Sequence, residues 1–115
     1  MACSHPVITA TLVNLVISTE NKEPLVNFYQ TIFGFSETYS DATSSFLRMG
    51  SLNLVFVVVK DRNLVTRNAC IDFAVPNLEV AKAALIDFGL VVAEDQPGIL
   101  TFNDPDGNLI EIVNG

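Results

Sequence analysis

Two stretches of the chain repeat apolar residues every three or four positions, which is the period of an amphipathic helix. The first lies within STENKEPLVNFYQTIFGF and aligns Leu25, Phe28, Tyr29, Ile32 and Phe33 on one stripe. Thr19 or Asn21 can cap its start, and Gly34 suits the left-handed position that ends a helix. The second begins after Pro76-Asn77 and ends at Gly89, with Leu78, Ala81, Leu85 and Phe88 on one side.

The other apolar segments are short and rich in β-branched or aromatic residues, as strands are. They cover residues 9–17, 35–40, 45–49 and 52–59, then 69–75, 90–94, 99–103 and 108–113. The order is therefore β-α-β-β-β twice, with a first module over about 9–59, a polar linker over 60–68 and a second module over about 69–114. We predict one α+β domain over residues 1–115, in which a cupped mixed sheet carries the helices on its outer face.

Composition narrows the classes of function. Half of the 115 residues are hydrophobic, and the net charge is −7. The charge disfavours nucleic acid and anionic lipid surfaces, and no apolar run approaches the ~20 residues that span a bilayer. The N-terminus does not resemble a signal peptide, and Cys3 and Cys70 lack metal or redox spacing. We expect a soluble cytoplasmic protein without membrane or nucleic-acid partners.

One carboxylate stands out in the last predicted strand. Alternation places Glu111 on the same face as Leu109 and Val113, so an acid lies between two apolar residues. A buried carboxylate must be paired, hydrogen-bonded or protonated. Glu111 either lines a pocket or lies half-exposed at a sheet edge, tied to Arg48 or Arg67.

The tandem modules, the segment NFYQTIFGF and the ending FNDPDGNLIEIV together resemble the vicinal oxygen chelate superfamily. This superfamily includes glyoxalase I, extradiol dioxygenases and bleomycin-resistance proteins. The resemblance covers roughly residues 9–114, and it implies a homodimer with shared clefts. The turn Asp104-Pro105-Asp106-Gly107 within the ending reads as a structural β-turn that positions the strand of Glu111, and not as a calcium loop.

The resemblance also implies four metal-ligand slots, which fall here on Asn14, Val55, Cys70 and Glu111. Asn14 and Cys70 are 56 positions apart, as are Val55 and Glu111. Val55 cannot coordinate a metal, and an amide oxygen such as that of Asn14 is a weak ligand for a transition metal. The only histidine, His5, lies in the N-terminal arm outside these slots, and its role stays open. We therefore predict no cofactor, with the slots mostly vacant.

Further residues are candidates for a ligand pocket. Asp72 shares a face with Cys70 and would add a second acid. Arg48 can bind a carboxylate or neutralise Glu111. Three aromatic strand residues can form pocket walls or plain core: Phe46, Phe56 and Phe102.

Two functions from different classes follow from these residues. The first is a metal-free small-molecule binding protein that sequesters a cationic or neutral drug-like ligand, similar to the bleomycin-resistance proteins and other antibiotic-resistance members. The second is a lyase, isomerase or dioxygenase-like enzyme with Glu111 as base or metal ligand.

Overall fold

The computed structural model describes residues 7–115. Its elements are β1 (Asn14–Thr19), α1 (Lys22–Phe33), β2 (Ser36–Ser40), β3 (Ser44–Met49), β4 (Leu52–Val58), a 3-10 turn (Arg62–Leu64), β5 (Cys70–Val75), α2 (Leu78–Phe88), β6 (Ala93–Gln96), β7 (Ile99–Asn103) and β8 (Leu109–Asn114). We call β1 to β4, with α1, module 1 and β5 to β8, with α2, module 2. The predicted α+β order, β-α-β-β-β twice, is confirmed.

Each module forms its own mixed four-stranded sheet, in the orders β1-β4-β3-β2 and β5-β8-β7-β6. In each sheet the first strand pairs parallel to the fourth, while the other pairs are antiparallel. The parallel registers are equivalent, since Asn14 pairs with Asn53 and Cys70 pairs with Leu109. The two modules therefore place corresponding residues at corresponding points of their sheets.

The first strand begins later than predicted. Residues 9–17 were assigned to it, but β1 starts at Asn14 and continues to Thr19. The parallel register explains the difference, because Asn14 already lies opposite Asn53 at the start of β4. Val13 still accepts a hydrogen bond from the Asn53 N–H at 2.9 Å, but residues before it would need partners in the turn at Gly50 and Ser51, where no strand is available. Residues 7–13 are accordingly exposed.

Local sequence signals fix the limits of the helices. Asn21 caps α1 by accepting a hydrogen bond from the Glu23 backbone N–H, and Gly34 ends it with a φ of 72°. Asn77 caps α2 in the same way through the Val80 N–H. The predicted apolar stripe of α2 is too long, because Leu85 is buried but Phe88, the last helical residue, is 59% exposed.

The hydrophobic core is shared by both modules, because α1 packs against both sheets. The rings of Tyr29 and Phe56 lie 5.4 Å apart within module 1. Phe33, one turn further along α1, stacks on Phe73 of module 2 at 3.8 Å. The face of each sheet opposite the helices, which we call the open face, is left for other contacts.

Candidate functional site

Three side chains with metal- or cation-binding chemistry meet on the open face of module 2. Cys70 and Asp72 project from β5, and Glu111 projects from β8 directly opposite Asp72 in the parallel register. One donor atom from each lies within 4.8 Å of the other two, and the Cys70 Sγ is 3.5 Å from an Asp72 Oδ1. Alternation brings them together because all three occupy positions that face away from the helices. We call these residues the acidic trio.

Asp72 influences the protonation of the other two members of the acidic trio. A hydrogen bond shared with Asp72 raises the pKa of Glu111, and desolvation and the Asp72 charge act in the same direction. Desolvation raises the pKa of the Cys70 thiol, and its contact with Asp72 raises it further. Two adjacent acids favour holding a proton or another cation between them. The trio is therefore a place where positive charge is favourable.

No basic side chain of the described chain neutralises the acidic trio. The ion pairs among residues 7–115 join Lys22 with Glu23, Arg62 and Arg67 with Glu20, and Lys82 with Glu94. The proposed ties from Glu111 to Arg48 or Arg67 do not form. Arg48 donates instead to the Gly50 carbonyl at 3.0 Å, and Arg67 donates to the Arg62 carbonyl at 3.2 Å.

Two hollows border the acidic trio. A cavity of about 280 Å³ lies beside Glu111 and is also lined by Asp95, Gln96, Ile99, Thr101 and Leu109. A cleft of about 190 Å³ includes Asp72 and is otherwise apolar. A larger open groove of about 410 Å³ lies at the start of α2, beside Asn77 and Glu79. That groove contains no member of the trio, and the walls of the cleft include Ile71 and Phe73 on the face of β5 opposite Asp72, so we place the candidate site at the cavity beside Glu111.

Two of the four slots that the resemblance implies offer little to a transition metal. The Asn14 amide oxygen accepts a hydrogen bond from Asn53 Nδ2 at 3.1 Å, and Val55 is an apolar residue with 3% exposure. Only Cys70 and Glu111 of that set bear ligand atoms suited to a transition metal. The acidic trio is a different set, with Asp72 as its third donor, and its spacing is compatible with one ion.

Alternation divides the aromatic candidates between the two faces of the sheets. Phe56 and Phe102 are 0% and 3% exposed in the core with α1, so they do not line the open face. Phe56 cannot share a face with its neighbour Val55, because successive strand residues point to opposite faces. Phe46 is half-buried and packs edge-on against Tyr39 at 5.8 Å.

The turn before β8 positions its strand, as the sequence predicts, and also contacts α1. The buried Asp104 carboxylate accepts hydrogen bonds from the Asn108 side chain, the backbone N–H groups of Asp106 and Asn108, and the Tyr29 hydroxyl at 2.8 Å. Burial, followed by the Asp104 charge, raises the pKa of Tyr29. This contact ties α1 to the strand that carries Glu111, and the predicted turn is structural.

No pattern in the sequence predicts the second buried polar group. Lys22, at the start of α1, is 7% exposed and donates to Ser45 at 2.8 Å and to Ser40 at 3.1 Å. Ser45 is 0% exposed, so this arrangement holds the β2–β3 hairpin against the helix and offers no reactive hydroxyl. His5 lies outside the described residues. None of the helices of residues 7–115 is both long and apolar enough to cross a membrane.

Comparison with known proteins agrees with this architecture. Residues 14–113 match the model of a family described as "Glyoxalase-like domain". No curated protein sequence matches the chain significantly.

Several solved structures share the fold. An integron cassette protein from the mobile metagenome of V. cholerae has a TM-score of 0.78 and 20% identity, over 96% of this chain and 98% of that one. An integron cassette protein from the mobile metagenome of the Halifax Harbour sewage outfall has a TM-score of 0.76 and 23% identity, over 93% of this chain and 100% of that one. Lactoylglutathione lyase from Agrobacterium tumefaciens has a TM-score of 0.74 and 15% identity, over 93% of this chain and 95% of that one. At these identities the likeness concerns the fold alone.

Proposed function

The chain belongs to the family of glyoxalase-like domains, and from this premise we propose that it binds a small organic cation without using a metal ion. The acidic trio on the open face of module 2 is the binding site. The observation that carries the proposal is the pairing of Asp72 with Glu111 across β5 and β8, where two carboxyl groups meet without a basic partner in the described chain.

Electrostatics supports a cationic ligand over an anionic one. Because Asp72 raises the pKa of Glu111, ionising both acids is costly until a positive charge arrives. An ammonium group can replace the shared proton and donate to both carboxylates in charge-assisted hydrogen bonds. The net charge of −7 adds a long-range attraction for cations.

The composition of the site supports binding over catalysis. Metal-dependent reactions in this superfamily rely on ligands from both modules, and module 1 offers Asn14 and Val55 at those positions. Among the described residues the open face has no histidine to relay protons, since the only histidine is His5. The proposal therefore resembles sequestration by drug-binding members of the superfamily, in a cytoplasmic setting that suits the free, exposed thiol of Cys70.

One observation favours a second candidate function. The trio brings one sulfur and two carboxylate donors within 4.8 Å of one another, a spacing that one divalent ion can span. Such an ion would supply Lewis acidity to a lyase, isomerase or dioxygenase-like reaction. In that case Cys70, Asp72 and Glu111 would hold the ion, and no basic residue of the described site would compete with it.

A paired measurement distinguishes the two functions. Protein purified without chelator or nickel is analysed for bound metal, and the same preparation is screened by thermal shift with small ammonium compounds and their neutral isosteres. We expect metal well below one ion per chain and stabilisation by ammonium compounds alone. The Glu111→Gln variant should bind them about tenfold more weakly, because a charge-assisted hydrogen bond contributes roughly 1.5–3 kcal/mol.

The control is Glu37→Gln, which removes the same charge from the exposed strand β2 and should retain wild-type affinity. Stoichiometric zinc, manganese, iron or nickel that disappears in Glu111→Gln would replace the proposal with the metal-dependent candidate. Turnover of a bound compound would also refute pure sequestration. Equal losses of affinity in the two variants would mean that only the overall charge of the protein attracts the ligand, which contradicts a site at Glu111.

We also propose that two copies of the chain associate. The strand β1 lies at the edge of its sheet, and Val16 within it and Val13 just before it are 55% and 56% exposed. The radius of gyration, 15.9 Å, exceeds the ~13–14 Å expected for a compact chain of this length. Sedimentation equilibrium should give a dimer that Val13→Lys dissociates, whereas a wild-type monomer at high concentration would contradict this proposal.

A further inference from the structure

We propose that the outer side of α2 is a docking surface for a basic amphipathic helix of a partner protein. The surface lies on the helix side of the module 2 sheet, away from the open face, so it is independent of the acidic trio and goes beyond the proposed function. It consists of a row of residues on α2 and of the groove between α1 and α2. We call Val80, Ala84 and Phe88 the uncovered row, because all three are exposed.

The uncovered row matches a row that module 1 packs into the core. Counted back from the glycine that ends each helix, its members correspond to three residues of α1: Leu25, Tyr29 and Phe33. The first two of these are fully buried, and the third stacks on Phe73 at 3.8 Å. Val80 and Phe88, by contrast, are 65% and 59% exposed. The duplicated unit therefore leaves on module 2 an apolar row that has no cover within the described chain.

An apolar groove between the two helices continues the uncovered row. It measures about 150 Å³, and all of its lining is apolar, including Phe33 of α1 and Ala81, Ala84 and Leu85 of α2. Ala84 belongs to both the row and the groove, so the two form one surface. A contiguous apolar surface with a polar rim is typical of an interaction site.

An acidic row borders the uncovered row on the side away from the groove. Glu79 and Asp87 lie eight residues apart, each one position before an end of the uncovered row, and at 3.6 residues per turn they run parallel to it. Neither forms an ion pair among residues 7–115. Lys82, the one base of α2, pairs with Glu94 at 3.0 Å. A partner that covers the apolar row therefore meets two carboxylates without a basic neighbour.

The charge of module 2 favours a foreign basic helix over a second copy of the chain. Residues 69–115 contain eight acids and one base, so the net charge of −7 lies wholly in this module. Two copies joined through α2 would bring their acidic rows together, and like charges across an interface are unfavourable. A helix with lysine or arginine beside an apolar stripe complements both rows.

The length of the uncovered row sets the size of the docking segment. From Val80 to Phe88 the helix rises about 12 Å, so a partner helix of about three turns covers the row. Its apolar residues, three or four positions apart, enter the groove, as in other helix-in-groove contacts. A contact of this length belongs to the small, transient class of interfaces.

Binding of designed peptides tests the inference. The probe is a leucine–lysine peptide about four turns long, with its leucines at helical spacing. One comparison peptide has the same composition in scrambled order, and another has glutamate in place of lysine. Binding to the full chain is measured by fluorescence anisotropy at about 0.15 M salt, and contacts are mapped by amide NMR. We expect the probe to bind at least about tenfold more tightly than either comparison peptide and to shift the signals of the uncovered row.

Variants of exposed residues provide the second measurement. Phe88→Ser should weaken binding of the probe about tenfold, because it removes the largest apolar side chain of the row. Its matched control, Leu64→Ser, truncates a 62% exposed leucine of the 3-10 turn and should retain wild-type affinity. Asp87→Asn should weaken binding about threefold, whereas Glu37→Gln on β2 should not change it. Wild-type affinity in Phe88→Ser, with the fold verified by its amide spectrum, would overturn the inference.

Three further outcomes would also refute it. Equal binding of the probe and the scrambled peptide would mean that net charge alone attracts them. Shifts at the acidic trio without shifts on α2 would place the peptide on the open face. Signals of α2 that move with protein concentration alone would mean that a second copy of the chain covers the row. None of these outcomes bears on binding of a small cation at the acidic trio, and failure of that binding leaves the α2 surface unaffected.

Discussion

The two modules share a backbone plan but differ in the chemistry of their open faces. At equivalent positions of the parallel strand pair, module 1 carries Asn14, Val16 and Val55 where module 2 carries Cys70, Asp72 and Glu111. Val55 is 3% exposed, whereas Glu111 is only half-buried beside a cavity. The duplicated unit therefore determines where these side chains lie, and the residue types confine the ionisable groups at these three positions to module 2.

The turns that precede the last strands differ in the same way. In module 2, Asp104 gathers four hydrogen bonds and reaches Tyr29 of module 1. At the corresponding position module 1 has Arg48, near the end of β3, whose exposed side chain bonds only to the Gly50 carbonyl among the described contacts. The turn of module 2 therefore supports the site and connects the modules, while the turn of module 1 does neither.

Exchanging residues between equivalent positions of the two modules should have the largest effect on stability. Val55→Glu places an unpaired carboxylate at a buried point, which should cost about 3 kcal/mol or more of unfolding free energy. The reciprocal Glu111→Val should leave stability unchanged or higher, because it removes one of two adjacent acids. Urea denaturation measures both changes. A wild-type midpoint for Val55→Glu would show that the open faces of the modules are not different in burial.

Removal of the buried Asp104 carboxylate should have the next largest effect on stability. Asp104→Ala leaves the Tyr29 hydroxyl and the Asn108 amide without their acceptor, so we expect a loss of about 2–4 kcal/mol. Arg48→Ala at the equivalent position should change stability by less than about 0.5 kcal/mol. Equal losses of stability in the two variants, measured in the same urea experiments, would show that the Asp104 turn of module 2 has no special role in holding the modules together.

A smaller effect on stability should come from Asp72, and it should depend on pH. The raised pKa of Glu111 favours the folded state below the ordinary glutamate range, and this contribution is lost as pH rises through the raised value. Asp72→Asn removes the main cause of the shift, so its Tm should exceed that of the wild type at about pH 7 and the difference should shrink near pH 3. A Tm difference that is independent of pH would show that the two carboxyl groups do not interact.

The reactivity of Cys70 should show the smallest effect. Desolvation and Asp72 raise the pKa of its thiol, so alkylation by iodoacetamide should be slow near pH 7.5 despite the exposed position. In a Cys3→Ser background, Asp72→Asn should accelerate the reaction by less than about tenfold, and Asp87→Asn on α2 should not change it. Slower alkylation in Asp72→Asn would reverse the assigned influence of this acid.

The sequence predicts the fold well because its signals are local. Helix periodicity, the caps at Asn21 and Asn77 and the duplicated order led to the correct architecture, and the resemblance to the vicinal oxygen chelate superfamily is confirmed by the glyoxalase-like match. The start of β1 was wrong, because strand limits depend on the partner strand and not on β propensity alone.

The site was harder to predict because it depends on contacts between distant residues. Alternation indicated that Cys70 and Asp72 share a face, but their closeness to Glu111 required the parallel register of β5 and β8. The Tyr29–Asp104 hydrogen bond joins residues 75 positions apart, and no periodic pattern reports such a pair. The ligand-binding role of these residues remains a prediction.

A carbon-13 NMR titration of the side-chain carboxyl groups tests the central claim most directly. In the free protein the account predicts that Glu111 titrates above its ordinary range and that its curve depends on Asp72. Saturating methylammonium should lower the pKa of Glu111, because the ligand replaces the shared proton. Titration of Glu111 within its ordinary range, with no response to the cation, would contradict the account.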